Sequence, residues 1–291
     1  MINLGKGGDA VPGEATSSRS GLFHGDFRLS ITKALADQLA AALKRLDHAP
    51  LTARNLLAID ERPGVYQLYL NDEFVYVGKA DASLRARLSD HFRKLGGRQN
   101  ISLADVGFSC LYVDEDFSAL APERLLINYY KGEGGIPWNN NGFGNKDPGR
   151  KRDTTEIKRN HFDLKFPIDL SQPLSGLNNR SLTLSSFLKV LKSKLPYNFR
   201  YAEPPGAASI GLSMPDGEMS AVQAFRLASE RLPADWQIVA LMGYVIMYGD
   251  SPTEYKSAWR YFRHGSVVEA QPEVSAEEMI EDENDLFSVD E

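Results

Sequence analysis

The feature that most constrains the fold is a pair of β-rich segments separated by the dipeptide Asn71-Asp72. The first segment, Gly64–Leu70, reads GVYQLYL, and the second, residues 73–78, reads EFVYVG. Aromatic and β-branched residues favour strands, and a short Asn-Asp connection favours a tight turn between them. The sequence therefore predicts a β-hairpin over residues 64–78.

Helices and further strands surround this hairpin. Apolar residues recur at helical spacing over 30–47, and Pro122 suits the first turn of a helix. The predicted helices cover residues 30–47, 82–95, 122–130, 183–194 and 218–231, and the predicted strands cover 106–113, 197–202 and 236–248. Residues 138–150 are rich in Asn and Gly, which predicts an ordered loop. Together these elements predict an α+β fold.

The composition changes along the chain and predicts four regions. Residues 1–25 mix Gly, Ser and Pro without an apolar period, which indicates a disordered arm. We expect a core domain with the N-terminal helix over 26–168 and a C-terminal α+β region over 169–268. Residues 269–291 contain ten acidic residues and no Lys or Arg, which predicts a disordered acidic tail.

The charge is uneven. The 291 residues include 33 basic and 39 acidic side chains, a net charge of −6, but residues 1–268 alone carry 33 basic and 29 acidic side chains. Two basic clusters stand out: Lys79, Arg85, Arg87, Arg93, Lys94 and Arg98, and then Lys146, Arg150, Lys151, Arg152, Lys158 and Arg159. Both are suited to contact phosphates, and the alternative is an ordinary solvated surface.

Several classes of protein are disfavoured by what the sequence lacks. Its longest apolar stretch, residues 238–248, is too short to cross a bilayer, and its first 20 residues do not resemble a secretory signal. With the single cysteine Cys110, this predicts a cytoplasmic protein without a membrane partner or a disulfide. Nucleotide-binding glycine loops, a G-x-S-x-G elbow and histidine pairs with metal-ligand spacing are all missing.

Five short motifs in a fixed order carry the chemistry. They are Gly64-Val65-Tyr66, Tyr76-Val77-Gly78-Lys79, Arg87 with His91, Glu123, and Asn139 after Trp138. This order resembles the GIY-YIG nuclease superfamily. The Arg-x-x-x-His spacing and the loop at residues 142–149 (GFGNKDPG) are similar to the type II restriction endonucleases of that superfamily that cut GC-rich palindromes.

The resemblance implies a small antiparallel sheet flanked by helices and a role for each motif residue. Glu123 would hold one Mg²⁺ (or Mn²⁺), because a hard cation accepts a single protein carboxylate with phosphate oxygens and waters. Arg87 would hold the scissile phosphate with its permanently charged fork. We expect Asn139 to fix the shape of its loop.

The two tyrosines would act on the attacking water. Tyr66 would take its proton and Tyr76 would orient the phosphate or the nucleophile. An ordinary tyrosine has a pKa of about 10, so its phenol needs activation at neutral pH. Lys79 and the metal ion are candidates to lower that pKa, and His91 is a candidate proton relay.

The resemblance also implies the partners. The substrate would be double-stranded DNA, cut by a homodimer or higher homo-oligomer, and the host would contain a cognate DNA methyltransferase. We expect DNA contacts from Lys146, Arg150, Lys151 and Arg152 and from the C-terminal region, which would serve recognition and dimerisation. The alternatives are a structure-selective repair or recombination nuclease with the same catalytic fold, a non-catalytic DNA-binding protein, and an unrelated α+β protein.

Overall fold

The chain is an α+β protein built on two main sheets. In a computed structural model, the structure describes residues 30–113, 122–131, 135–144, 149–177 and 181–275. The predicted arm at 1–25 and residues 276–291 of the predicted tail lie outside these ranges. The described residues from Thr32 to Ser275 form one compact unit. No helix in the described ranges has the length and apolarity that a membrane span needs.

The first half contains a four-stranded antiparallel sheet in the order β1-β4-β2-β3. Its elements are α1 (Ile31–Leu43), β1 (Ala49–Pro50), α2 (Ala53–Leu57), β2 (Gly64–Leu70), β3 (Glu73–Ala80), α3 (Leu84–Gly96), β4 (Val106–Tyr112) and α4 (Pro122–Lys131). The predicted hairpin, the strand at 106–113 and the three predicted helices are thus confirmed, although α1 ends four residues earlier than expected.

The hairpin forms because its two turn residues adopt left-handed backbone. Asn71 and Asp72 have φ angles of 51° and 65°, and Leu70 pairs with Glu73. Two consecutive residues with positive φ match the twist of the flanking strands, and Asn and Asp tolerate that conformation better than most side chains do.

Helix α3 is positioned by its cap and its apolar face. The Ser83 side chain accepts a hydrogen bond from the Ala86 N–H at the helix start. The buried residues recur at helical spacing, so the helix packs on the sheet along one side. These residues are Leu84, Leu88, His91 and Leu95. The opposite side carries charged residues and faces solvent.

The second half contains a five-stranded sheet in the order β14-β13-β11-β12-β8, antiparallel except for the β12–β8 pair. Its elements, with the short ones around them, are β5 (Ile157–Lys158), α5 (Phe162–Lys165), β6 (Pro173–Leu174), β7 (Ser181–Thr183), α6 (Leu184–Lys194), β8 (Phe199–Tyr201), β9 (Gly211–Ser213), β10 (Met219–Ser220), α7 (Ala221–Ser229), β11 (Gln237–Leu241), β12 (Val245–Tyr248), β13 (Ala258–Arg263), β14 (Ser266–Glu269) and β15 (Val274–Ser275).

Both faces of this sheet are covered by apolar residues. Ile238 and Ala240 of β11 pack with α6 and α7, whereas Val239 and Leu241 pack with the tyrosines on the other face. The alternation follows from the two-residue period of a strand. Because β11 is buried on both faces, its residues 238–241 are continuously apolar rather than alternating.

Two predictions for this half were wrong. Residues 236–248 form two antiparallel strands rather than one, because the chain turns at Met242 and Gly243 and Leu241 N–H donates to Tyr244 O (2.9 Å). The segment expected to be disordered from residue 269 is structured up to Ser275, since Glu269 belongs to β14 and β15 pairs with β5. Backbone pairing therefore offsets the acidic composition of residues 269–275.

A buried ionic network joins the two halves. Asp163 accepts a hydrogen bond from Arg98 (Nη1 to Oδ1, 2.8 Å) and another from Arg152 (Nη2 to Oδ2, 2.6 Å). Arg98 also donates to the carbonyl oxygens of Phe166 (3.0 Å) and Gly243 (3.3 Å). Arg98 and Asp163 are both almost fully buried, so the network lies in the interior and fixes the end of α3 to the second sheet.

Replacing Asp163 by Asn should destabilise the fold strongly. The variant leaves the buried Arg98 guanidinium without a counter-charge, and breaking a buried pair in this way costs about 3–5 kcal/mol. We expect Asp163→Asn to lower the free energy of unfolding by that amount in denaturant titrations. The matched control is Asp216→Asn at an exposed aspartate, and equal stability of the two variants would contradict the role of the network.

The same network should make the free energy of unfolding depend on pH in the acid range. Burial alone would raise the pKa of Asp163, but Arg98, His161 and Arg152 outweigh it and lower that pKa to about 2. The carboxyl titrates at about 3.9 in an unfolded chain, so its contribution is present above about pH 5. We expect a loss of roughly 2 kcal/mol between about pH 4 and pH 2, absent from Asp163→Asn, in unfolding curves measured across that range.

Candidate active site

The two motif tyrosines lie together on one face of the hairpin. Tyr66 pairs with Gly78 and Leu68 pairs with Tyr76, so the two phenols are diagonal neighbours across β2 and β3. Their ring centroids are 6.0 Å apart and both side chains are buried. A Cβ atom at Gly78 would lie 2.3 Å from the Tyr66 hydroxyl oxygen. Glycine at this position therefore lets the Tyr66 ring extend across the neighbouring strand.

Helix α3 supplies the next two groups. The Tyr66 hydroxyl and His91 Nε2 are 2.6 Å apart, and Arg87 Nε donates to the Tyr66 oxygen at 3.3 Å. Burial, with the charges of Arg87 and Lys94, holds the pKa of His91 well below its usual value. His91 is therefore neutral near pH 7. In the tautomer protonated at Nδ1, its Nε2 accepts the Tyr66 proton.

The loop after α4 closes over the tyrosines. Asn139 Oδ1 accepts from Val77 N–H and Asn139 Nδ2 donates to Val77 O, each at 2.9 Å. Trp138 N–H donates to Val75 O at 2.9 Å. Since β3 is an edge strand, these bonds pair the outward backbone groups of alternate residues. The positioning role expected for Asn139 agrees with this geometry.

Phe143 completes the wall of the site. Its ring centroid is 4.9 Å from those of both Tyr76 and His91. The next residue, Gly144, has a φ of 80°, and a Cβ there would lie 2.3 Å from the Tyr76 hydroxyl oxygen. Positive φ and close approach both require glycine here. The motif did not single out Phe143, although its place in the Asn- and Gly-rich loop was a usable signal.

Glu123 reaches the site from the first turn of α4. Leu126 and Tyr130 of this helix pack with Val65 and Val77, whose side chains lie on the sheet face opposite the tyrosines. Burial raises the pKa of the half-buried Glu123, while Arg87 opposes that rise. The charge of Glu123 in turn raises the pKa of both phenols. The Glu123 carboxylate therefore lies within electrostatic range of Tyr66, Tyr76 and Arg87.

The pKa of Tyr66 shifts in the direction opposite to the one that activation requires. Burial, followed by the charge of Tyr76, raises it well above its usual value, and Arg87 offsets only part of this. The pKa of Tyr76 rises to about 12, again chiefly through burial. The expected help from Lys79 does not reverse these shifts, because its ammonium forms an ion pair with Asp81 (2.6 Å). Both phenols are protonated at neutral pH.

The predicted DNA-contacting residues have different surroundings. Lys146 lies outside the described residues. Lys151 is exposed, and the Arg150 guanidinium lies 4.0 Å from the centroid of the Tyr248 ring. Arg152 donates to the buried Asp163, and its side chain stays partly exposed, at 25%. A DNA contact from Arg152 stays a prediction, made by a guanidinium that the Asp163 network already positions.

A metal ion would have one carboxylate ligand here. Within the described ranges there is no group of three or more His, Cys, Asp and Glu side chains placed to hold a metal. Glu123 fits a site of another kind, since a single desolvated carboxylate suits a hard cation that keeps most of its waters.

The chain matches no protein-family model, and a search of curated proteins finds no significant relative. What the site can do chemically is therefore inferred from its own geometry.

Removing the Asn139 side chain should open the edge of β3. Asn139→Ala leaves the Val77 N–H and C=O without these partners, so we expect about 1–3 kcal/mol lower stability and faster hydrogen exchange at the Val77 amide. Asn139→Asp retains the acceptor and should protect that amide better than Ala does. Asn55→Ala, which removes an exposed side-chain bond to Pro50 O, is the control. Unchanged exchange at Val77 in Asn139→Ala would contradict the edge-covering role.

Proposed function

We propose that this protein is a metal-dependent, sequence-specific endonuclease of the GIY-YIG type that cuts double-stranded DNA. The observation that carries the proposal is the convergence of Tyr66, Tyr76, Arg87, His91 and Glu123, from two strands and two helices, around one site. Each of these groups has a use in phosphodiester hydrolysis. The order of the motifs and their spatial grouping are independent observations that agree.

Arg87 is suited to hold the scissile phosphate. Its guanidinium is charged at any working pH and presents parallel N–H donors to two phosphate oxygens. Its Nε already donates to the Tyr66 hydroxyl, so a phosphate held by the remaining donors would lie next to the proton acceptor. The arrangement fixes the relative position of the phosphate and the attacking water.

The Tyr66–His91 contact supports a concerted proton transfer. Water attacks phosphorus and gives its proton to the Tyr66 oxygen, while the Tyr66 proton passes to His91 Nε2. The bond between phosphorus and the 3′ oxygen breaks as the new phosphorus–oxygen bond forms, and the departing 3′ oxygen takes up a proton from a solvent water. No free phenolate is needed, which matters because burial raises the pKa of Tyr66. Neutral His91 offers the Nε2 lone pair that accepts the proton; burial lowers its basicity, so the imidazolium formed depends on the nearby phosphate charge for stabilisation and then loses its proton to solvent.

Glu123 is the residue that would hold Mg²⁺ or Mn²⁺. Such an ion supplies charge stabilisation for the phosphate oxygens and for the departing oxygen. Burial raises the pKa of Glu123 because it disfavours the charged carboxylate, and a bound cation would offset that cost. Tyr76 borders the same space and can orient either the phosphate or the water through its hydroxyl.

Duplex DNA is the substrate that fits the wider surface. Arg150 and Lys151 lie next to the second sheet on the exposed 3₁₀ turn at Gly149–Arg152, where they can meet the DNA backbone or guanine edges. If the recognition site is a palindrome, as the resemblance implies, two copies of the chain would each cut one strand. Such an enzyme would need a cognate methyltransferase to protect host DNA.

Cleavage of DNA of known sequence tests the proposal directly. With Mg²⁺ we expect discrete fragments with common ends. Glu123→Gln and Arg87→Lys should each lower the single-turnover rate by about 10²–10³, because the first removes the carboxylate that would hold the metal ion and the second loses the fork that binds two phosphate oxygens. Tyr66→Phe should lose about 10²–10⁴, since it removes the proton acceptor. Mapping the ends and timing cleavage on a synthetic duplex measures all three.

Matched variants control for the substitutions themselves. Arg54→Lys, Glu73→Gln and Tyr129→Phe make the same chemical changes away from the site and should retain normal rates. Branched DNA cut without sequence preference would favour a structure-selective repair nuclease instead. Metal-independent binding without any cleavage would favour a non-catalytic DNA-binding protein. Normal cleavage by Glu123→Gln would remove the proposal.

The effect of His91→Ala should be independent of pH between 6.5 and 8. The pKa of His91 is lowered, so the ring is neutral throughout this range and protonates only at lower pH. The ratio of wild-type to His91→Ala rates should stay constant, at about 10²–10⁴. A histidine with an ordinary pKa would be half protonated at pH 6.5, and the ratio would shrink there. Rate measurements at both pH values, with His48→Ala as control, distinguish these outcomes.

A further inference from the structure

A basic cavity lies beside the candidate active site. It has a volume of about 420 Å³ and is bounded by α3, the end of α6 and the turn between β11 and β12. Five basic and two acidic side chains line it. The basic ones are Arg93, Lys94, Arg98, Arg152 and Lys192. This excess of positive charge favours an anion.

The cavity continues a stripe of side chains that starts in the candidate active site. Arg87, His91 and Lys94 are spaced by four and three residues, which places them along one side of α3, and Arg98 follows just past the end of the helix. Phe143 lies between the candidate active site and the cavity. Its ring packs on His91, and its centroid is 4.5 Å from Lys94 Nζ. Seven residues of helix separate Arg87 from Lys94, a rise of about 10 Å.

Lys94 is a desolvated cation without full compensation. Its Nζ lies over the rings of Phe143 and Phe162, and burial, then Arg98, lowers its pKa to about 7. Arg152 and Arg87 act in the same direction, and Asp163 opposes them. Asp163 is already bound to Arg98 and Arg152. An anion in the cavity would therefore stabilise the charged form of Lys94.

The wall of the cavity also contains buried donors. Arg98 Nε and the Tyr197 hydroxyl are inaccessible to solvent and have no hydrogen-bond partner among the described residues. Both residues line the cavity, and the side chains of both are more than nine-tenths buried. Since solvent does not reach these two atoms, the accessible donors that would meet an anion in the cavity are those of Arg93, Lys94 and Lys192.

We infer that this cavity binds a backbone phosphate of the DNA, distinct from the phosphate that is cut. The inference rests on the proposed nuclease function, because it takes nucleic acid as the ligand. Lys94 lies about 10 Å along the axis of α3 from Arg87, a spacing that suits two different phosphates of one DNA backbone. The cavity is therefore a second anchor that holds the same DNA in register with the catalytic groups.

Lys192 and Lys189 provide a matched pair for the test. Both are exposed lysines on α6, three residues apart, but only Lys192 is among the residues that line the cavity. In a Glu123→Gln background, which binds without cutting, we expect Lys192→Gln to weaken duplex binding about fivefold near 0.15 M salt. The slope of log affinity against log salt should fall by about 0.9. Lys189→Gln should change neither value.

Lys94→Met extends the test into the cavity while keeping the side-chain stem. It should weaken binding at least as much as Lys192→Gln, with an unchanged circular dichroism spectrum. With Glu123 intact, Lys192→Gln should raise the DNA concentration needed for half-maximal cleavage and leave the saturated single-turnover rate unchanged. A loss of the saturated rate alone would overturn the inference, since an anchoring phosphate acts on binding.

Separate outcomes identify what has failed. If the wild type cuts DNA but Lys192→Gln and Lys94→Met bind it as tightly as Lys189→Gln does, the anchor is wrong and the nuclease proposal stands. If the wild type neither binds nor cuts DNA, both proposals fall. The other source of an anion for the cavity is free phosphate, and calorimetric titration with sodium phosphate tests it. Variants that lose phosphate binding while keeping DNA affinity would assign the cavity to a free anion and overturn the inference.

Discussion

The Asp163 carboxylate holds the geometry of the site, although it takes no part in the chemistry. Its bonds to Arg98 and Arg152 fix the end of α3, the helix that carries Arg87 and His91. Backbone bonds support the same contact, because Gln99 N–H donates to Pro167 O (2.8 Å) and Asp169 N–H donates to Gly97 O (2.9 Å). A displacement of this end of α3 would move the Arg87 guanidinium and the His91 imidazole away from Tyr66.

This contact also explains a glycine far away in the sequence. A Cβ atom at Gly243 would lie 2.1 Å from an oxygen of Asp163. The turn between β11 and β12 can approach the carboxylate only because that side chain is missing. The second sheet thus takes part in positioning the candidate catalytic helix, and the two halves of the chain are mechanically coupled through one buried charge cluster.

The electrostatics of the site favour proton relay over ionisation. Burial raises the pKa of both phenols and lowers that of His91, so all three groups are neutral near pH 7. The charged members are Arg87 and Glu123, placed where a phosphate and a cation would meet them. A transfer from water through Tyr66 to His91 would avoid a buried phenolate but would place a positive charge on the buried His91 ring, which the negative charge developing at a bound phosphate would offset.

The sequence predicted the elements whose signals are local. The hairpin follows from residues 64–78, and α3 and α4 follow from their apolar periods. The order of the motifs predicted which residues would come together. The Asp163 network was beyond reach, since it joins residues 65 positions apart and no local pattern marks a buried aspartate.

The remaining differences have equally physical causes. A single strand was predicted over residues 236–248 because apolar residues continue from 238 to 248 on both sides of the turn. Gly243 was the one weak signal of that turn. The strands β13 and β14 were not predicted, and the pairing of Val274 with Ile157 depends on a contact between distant segments. The basic cavity had a usable signal in the spacing of Arg87, His91, Lys94 and Arg98, which the motif comparison did not extend past His91.

The loop over β3 has a consequence for how this chain can vary. Asn139 at one end replaces a missing neighbouring strand, while Phe143 and Gly144 at the other end pack on Tyr76 and His91. Both ends are thus anchored to the same hairpin with three residues between them. Adding or deleting a residue there would expose the edge strand or detach the aromatic wall, so the length of this short connection is constrained more tightly than its composition.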